Sequence, residues 1–401
     1  MANTLNIEQA SAVLNEAVNV AQGKDSTEYT GPADFTTVAQ RALLVGADPI
    51  QSALQQVLTK TNFKIKKYSE KFTHLSRTEE QWGNHIRQVH YGTLPAVDGV
   101  EWDPDALADG QSVDHYIIRK RPVVQTNFYG GKNYDYYWTR FRHQWNVAMR
   151  DGAELAEFIS GLVTEENNDI TAINEAGKRA CLANLIASYK TYGGYSNVHL
   201  LTEYNRAVSE SFTKEDVMNP ANYESFMKWV YGRIAIESRR MTERTVAYHV
   251  NPFEVPQGET DPIADLVTFC DYKDQTLYMY SPEMEYYNAR VLSGAYHDDY
   301  IKYVKFEPVN FWQSFDDPAT VKATPTYMVT GGNLQTAEAA VTVSEVFALL
   351  ISDEAAGYTN IAPWSAVTPL NARGGYWDYW SHWTGRYWND FTEKGVLFTL
   401  D

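Results

Sequence analysis

Cysteine is almost missing from this chain: 401 residues carry two, Cys181 and Cys270, far apart and in no CxxC pair. Zinc ribbons and thioredoxin chemistry are therefore unsupported, and a reduced, cytosolic protein is expected. Positive charge is also scarce, with 34 Lys and Arg against 51 Asp and Glu, a formal net charge of −17. A sequence-independent DNA binder draws its affinity from cations that neutralise phosphates, so the charge argues against that class. No apolar run reaches the ~20 residues that cross a bilayer, so no membrane partner is expected. Met1-Ala2-Asn3-Thr4 lacks the charged and apolar regions of a signal peptide. Nucleotide and hydrolase signatures are missing too. Gly23-Lys24 has no upstream glycine to build a phosphate loop, and GxGxxG, HExxH and GxSxG do not occur. No enzyme and no cofactor are expected.

What the chain does have is aromatic rings, 14% of its residues, with 28 Tyr and 11 Trp. Tyr and Trp join an apolar body to a polar tip, which favours them at interfaces. They crowd into two stretches that read as long strands, Tyr134-Asp135-Tyr136-Tyr137-Trp138-Thr139-Arg140-Phe141 and Tyr376-Trp377-Asp378-Tyr379-Trp380-Ser381-His382-Trp383. Alternate strand residues point to opposite faces. Tyr376, Asp378, Trp380 and His382 share one face, and Trp377, Tyr379 and Trp383 share the other. Strands with large groups on both faces are buried twice over or lie against a neighbouring chain.

The rest of the chain mixes helix and strand. Leu5, Ile7, Ala10, Val13, Leu14, Ala17 and Val18 have helical spacing, and a second helical pattern runs over 35–59. Phe63, Ile65, Tyr68 and Phe72 lie among Lys64, Lys66, Lys67 and Lys71, a basic strand leading outward. An acidic tip follows, with Asp98, Glu101, Asp103, Asp105, Asp109 and Asp114, and then a strand over 116–124 carrying Arg119-Lys120-Arg121. A two-stranded excursion of this length is unstable alone and needs a partner surface. Residues 152–190 form the clearest helix, with a weak point at Asn167-Asn168-Asp169 and an end at Gly193-Gly194. A further helix covers 220–238, another opens at Ser281-Pro282-Glu283, and Thr330-Gly331-Gly332-Asn333 is a turn. Strands are expected over 245–250, 276–280, 304–313, 341–351 and 374–400. Without regular βαβ alternation, the class is α+β.

Three groups of residues are of types that could carry chemistry. His297-Asp298-Asp299 has metal-ligand types, but neighbouring residues on a helix point apart, which favours a solvated turn. His74, His85 and His90 fall in one region with nothing in the sequence to fix them together. Asp378, Asp390 and Glu393 sit among aromatics, the pattern of a glycan-binding protein or glycoside hydrolase. For all three groups the structural reading outweighs the catalytic one.

The order of elements resembles the major capsid proteins of tailed bacteriophages with the Hong Kong 97-type fold, nearest to those of short-tailed phages like phi-29. The resemblance is carried by Val124-Gln125-Thr126-Asn127-Phe128-Tyr129 followed by the helix from Gly152, by Val309-Asn310-Phe311-Trp312-Gln313-Ser314-Phe315, and by Arg373-Gly374-Gly375-Tyr376-Trp377-Asp378-Tyr379-Trp380-Ser381-His382-Trp383. It implies an N-terminal arm over 1–61, an extended loop with adjoining strands over 62–150, and the spine helix of a peripheral domain over 151–190. It further implies an axial domain over 191–355 and closing strands of the peripheral domain over 356–401. Some relatives carry an immunoglobulin-like domain after the last strand; this sequence stops at Asp401, so none is expected. The implied role is a subunit of pentamers and hexamers in an icosahedral virion shell around double-stranded DNA, made in the host cytoplasm with scaffolding and portal partners. An encapsulin-like compartment shares the fold and is the alternative. The expected inter-subunit residues are Lys64, Lys66, Lys67, Asp103, Arg119, Lys120, Arg121 and Trp380.

Overall fold

The computed structural model describes residues 68–77, 85–93, 108–112, 116, 120–142, 152–283, 285 and 305–401. The arm over 1–61, Lys64, Lys66, Lys67, Asp103, Arg119 and His297-Asp298-Asp299 lie outside the described residues. An antiparallel ribbon comes first, β1 (His85–Tyr91) on β2 (Val123–Tyr129), and β3 (Lys132–Phe141) follows. The long helix α1 (Gly152–Tyr192) then runs 41 residues without a break, roughly 60 Å at 1.5 Å per residue. The bend expected at Asn167–Asp169 does not form. Asn167 is buried, Asn168 accepts the Tyr68 amide at 3.1 Å, and Asp169 accepts the Tyr136 hydroxyl. Tertiary partners hold these polar residues inside the helix. Gly193 and Gly194, at φ of 71° and 69°, end it as expected.

After the short strand β4 (Asn197–His199) come three helices, α2 (Leu200–Val208), α3 (Lys214–Met218) and α4 (Pro220–Thr242). Asn219 caps α4 by accepting the Ala221 amide, with Pro220 in the first turn. Strands β5 (Gln275–Tyr280) and β6 (Lys305–Val309) follow. Two small ribbons come next: β7 (Val321–Ala323) pairs with β10 (Val341–Val343), and β8 (Thr326–Met328) pairs with β9 (Leu334–Thr336) across the expected glycine turn. The chain closes with β11 (Val346–Ser352), β12 (Ala356–Val367), β13 (Tyr376–Asn389) and β14 (Gly395–Thr399).

Two sheets organise the body. The order β4-β14-β11-β5-β6 makes a five-stranded mixed sheet, and β12-β13-β3 makes a three-stranded antiparallel one. Every residue of β11 is buried because the five-stranded sheet is covered on both faces. Leu349 and Ile351 pack with Leu182, Leu185 and Ile186 of α1. Phe347 and Leu350 pack on the opposite side with Phe226, Met227 and Val230 of α4. The core is thus a helix–sheet–helix sandwich, which explains why β11 reads as a continuous apolar run.

Several expected strands are shorter, split or absent, among them 374–400, which the turn at 390–394 divides into β13 and β14. Residues 245–250 form no strand, only a single bridge from Thr245 to Thr268, because Tyr248 turns the backbone to φ 72°. The stretch 341–351 splits into β10 and β11 at Glu345, φ 58°. The stretch 304–313 ends at Val309, after which Trp312 turns to bond Pro318 through its amide and Val346 through its indole. Residues 120–122 are likewise not in a strand.

Candidate assembly surfaces

Strand β13 separates its two faces as its sequence implies. Trp377, Tyr379, Ser381 and Trp383 are buried against α1. Ser381 donates to Glu166, while the Trp383 indole and the Tyr358 hydroxyl both donate to Asn174, at 3.1 and 2.8 Å. Trp138 of β3 stacks on Tyr379 with ring centroids 4.0 Å apart. Gly177 of α1 is required here, since a Cβ would lie 2.9 Å from the Tyr358 ring.

The other face carries a ladder of rings across three strands. Tyr137 of β3 stacks on Trp380 at 4.8 Å, Trp380 lies parallel to His382 at 5.9 Å, and His382 stacks on Trp364 of β12 at 4.2 Å. Tyr137 is 61% and Trp364 56% exposed. Rings stacked on one another across strands use their faces within the ladder and turn edges and polar tips outward. Asp135 stands opposite His382 in the register, and Asp378 accepts the Thr139 hydroxyl beside it.

A second exposed surface lies on the β1–β2 ribbon, where apolar residues share one face with Arg87, Gln125 and Asn127. Val89, Tyr91, Val123 and Tyr129 are 46–71% exposed on its outer side. On the inner side Val124 packs on Phe253, Ala264 and Leu266. Lys120 and Arg121 are exposed where the chain enters β2. Of the residues expected at an interface, Lys120, Arg121 and Trp380 can thus be located, and Trp380 sits in the centre of the ladder. Tyr137 and Trp364 were not singled out from the sequence. Tyr137 alternates with Asp135 and Thr139 and was legible as their face-mate, whereas Trp364 becomes visible only through the pairing of β12 with β13.

Of the three carboxylates that suggested hydrolysis, Asp378 stands far from the other two. Asp378 lies near the start of β13 and Asp390 just past its end, a span of roughly 40 Å at about 3.3 Å per residue, whereas glycosidase carboxyls stand about 5–9.5 Å apart. Asp390 and Glu393 instead occupy the turn between β13 and β14. Asp390 is fully buried and accepts both the amide and the hydroxyl of Thr392. Glu393 accepts the Ser352 hydroxyl; burial, then the Asp390 charge, push its carboxyl up to about 7. His90 bonds Thr392 at 3.2 Å, and His74 sits in a separate turn against α1. Among the described residues no three His, Cys, Asp or Glu side chains converge as metal ligands, and no helix is long and apolar enough to cross a membrane.

No family model and no curated protein matches the sequence. Solved structures do match. The capsid structure of Staphylococcus phage Andhra is 12% identical, covers 85% of this chain and 86% of that chain, and superposes with a TM-score of 0.50. A structure of the head fiber and inner core protein gp22 of bacteriophage P68 is 11% identical over 84% and 87% of the two chains, with a TM-score of 0.49. The order of the long helix, the two sheets and the ribbon, together with the likeness to the Andhra capsid, gives the conclusion that this chain has the α+β Hong Kong 97-type fold.

Proposed function

We propose that this chain is a major capsid protein whose copies close into the shell of a tailed bacteriophage. The observation that carries the reading is the fold combined with two exposed surfaces, the Tyr137–Trp380–His382–Trp364 ladder and the outer side of the β1–β2 ribbon. Two different surfaces on one chain make a heterologous contact, and such contacts close rings when the rotation is right. Rings of five and six, the pentamers and hexamers of an icosahedral shell, follow from repeating that contact. In this reading residues 62–150 supply the extended loop, 151–190 the spine, 191–355 the axial domain and 356–401 the closing strands, with β14 returning to the sheet of β11 and β5. The arm is 1–61. The resemblance to short-tailed phi-29-like phages supports placing the protein in a virion assembled with scaffolding and portal proteins around double-stranded DNA. A net charge of −17 limits adhesion of that DNA to the wall.

Exposed Lys120 and Arg121, with Lys64, Lys66, Lys67 and Arg119, pair in this reading with carboxylates of the next copy, Asp103 among them. Reversing the charge from Arg119 to Arg121 is expected to leave the subunit folded by circular dichroism and to abolish shells. Normal particles from that variant would refute the pairing. The reading as a whole is tested by negative-stain microscopy of the purified protein, with closed particles expected. A stable monomer with sugar affinity that Trp380→Ala removes would overturn it in favour of glycan binding. Packaged protein instead of DNA would favour the encapsulin-like compartment.

A further inference from the structure

Strand β3 leaves one edge open. It is joined to β13 through ten consecutive pairs, from Lys132 opposite Gly385 to Phe141 opposite Tyr376, with no shift of register. In the sheet order β12-β13-β3 it is an outermost strand, and among the described residues no strand pairs with its far side. Strand β2, one two-residue turn away, pairs with β1 instead. Two bonds at the end of the sheet fix which way each backbone group of β3 points. The Arg142 amide donates to the Gly375 carbonyl, so residue 142 turns its backbone towards β13. The Thr368 amide donates to the Asp378 carbonyl, so residue 378, opposite Thr139, turns away from β3. Backbone direction alternates along an antiparallel ladder. Tyr134, Tyr136, Trp138 and Arg140 therefore bond β13, while the N–H and C=O groups of Asn133, Asp135, Tyr137 and Thr139 face outward.

The two outer strands of this sheet differ. Strand β12 carries Pro363 and a break in register between Ile361 and Trp364, and near its start Ser76 and Arg77 bridge and bond Tyr358. Proline and irregular pairing blunt an exposed edge. Strand β3 has no proline and no bulge. It has instead one cation turned to the α1 side. Arg140 is half-buried, with its guanidinium 4.6 Å from the Trp138 ring centroid; its Nε is enclosed and unbonded, and among the described residues it pairs with no carboxylate. Its neighbours on that face add donors and no acceptor. The indole N–H of Trp377, opposite Arg140, and the hydroxyl of Tyr379 are buried without partners. A strand added at this edge would cover Arg140 and leave a buried charge uncompensated unless it brought a carboxylate. The cation thus turns away most strands and admits an acidic one.

We propose that the outer edge of β3 seats an extended strand of a second copy, which joins the sheet through Asp135, Tyr137 and Thr139 and sets an acidic side chain beside Arg140. Side chains paired across such a ladder share a face with Cβ atoms about 4.5–5.5 Å apart, within reach of the guanidinium. Main-chain bonds supply affinity and the Arg140 pair supplies selection. The chain itself is the source of acids, with 51 Asp and Glu against 34 Lys and Arg. The same strand also presents Tyr137 to the exposed ladder where copies meet in the capsid reading, on which this proposal rests.

The test is hydrogen exchange resolved to single amides, on the full chain kept unassociated at low concentration and on its associated form, the two separated by sedimentation velocity. The amides of Asp135, Tyr137 and Thr139 are expected to exchange as freely as loop amides in the unassociated chain and at least about tenfold more slowly after association. Those of Tyr136 and Trp138 should be protected in both. Outward amides already protected in the unassociated chain would mean that the chain covers its own edge, and outward amides still free after association would mean that copies meet elsewhere; either result overturns the proposal. Asp135→Pro deletes an outward N–H and spares the ladder to β13, and Arg140→Glu reverses the selecting charge. Both are expected to keep the circular dichroism spectrum and to weaken association about tenfold or more, while Arg140→Lys retains it. Unchanged association of Arg140→Glu would overturn the proposal, and that variant decides if Asp135→Pro fails to fold. A wild-type chain that never associates refutes the capsid reading together with this edge. Closed particles formed equally by wild type and Arg140→Glu refute the edge alone.

Discussion

Two tryptophans three residues apart on β13 are expected to fail in opposite ways when cut to alanine. Trp377 is 0% exposed and packs towards α1. Its loss removes a large buried ring and leaves a cavity, which costs about 3–5 kcal/mol. Trp380 points the other way and is half-buried between Tyr137 and His382. It forfeits two ring stacks at about 0.5–1.5 kcal/mol each, so the monomer loses about 1–3 kcal/mol. Urea unfolding of the unassembled chain, followed by far-ultraviolet circular dichroism, gives the two stabilities. Sedimentation and negative stain give assembly. Trp377→Ala should shift the unfolding midpoint strongly. Trp380→Ala should shift it less and yet prevent closed particles. Equal destabilisation by the two changes would refute the assignment of faces. Normal particles from Trp380→Ala would refute the ladder as a contact surface.

Lys178, 1% exposed at its side chain, holds residues 68–77 on α1 through Glu70 and Ser76, both at 2.6 Å. Lys178→Ala removes the ammonium bonded to the Glu70 carboxylate and should cost about 3 kcal/mol, and pairing Lys178→Met with Glu70→Gln should restore much of it in a double-mutant cycle. Gly357→Ala would drive a Cβ to 2.1 Å from the Trp388 ring and should lower the unfolding midpoint severely, whereas Gly161→Ala, with open space around it in α1, should stabilise by roughly 0.5–1 kcal/mol. Burial raises the Asp401 carboxyl, but hydrogen bonds from Lys190, Thr399 and His199 outweigh it and hold the group at about 2. Its stabilising effect is therefore complete above the usual carboxylate range and fades as pH falls towards 2, so Asp401→Asn should remove part of the acid-lability measured between pH 4 and pH 2.

Much of the fold was legible because local pattern and tertiary burial agree. The three-and-four spacing of Leu182, Leu185, Ile186 and Tyr189 gives both the helix and its buried stripe. The alternation along β13 gives its two faces. What escaped were features decided by distant partners. Asn167-Asn168-Asp169 reads as a helix breaker until Tyr68 and Tyr136 are brought to it from outside the helix. The sequence 245–250 has strand composition, yet Tyr248 adopts a left-handed backbone, its hydroxyl bonded to buried Glu237 at 2.5 Å. The pairing of β3 with β13 joins Tyr137 to Trp380 across the chain, and no local signal carries such a register. The buried turn at Asp390 is likewise invisible, because its partners His90, Ser352 and Thr245 come from elsewhere in the chain.

The sequence suggests that the whole stretch from Asn62 to Met149 waits for a neighbour, and the structure narrows that claim. Strand β3 is ordered within its own chain, bonded along one edge to β13 and covered by α1. The five-stranded sheet is closed by helices on both faces and needs nothing more. Among the described residues, what remains conditional is the β1–β2 ribbon, a two-stranded element that is marginal alone, with Val89, Tyr91, Val123 and Tyr129 exposed on its outer side. A neighbour laid against that side would supply the missing layer. In the proposed capsid reading, the ordering cost of the ribbon is met at each contact around a ring.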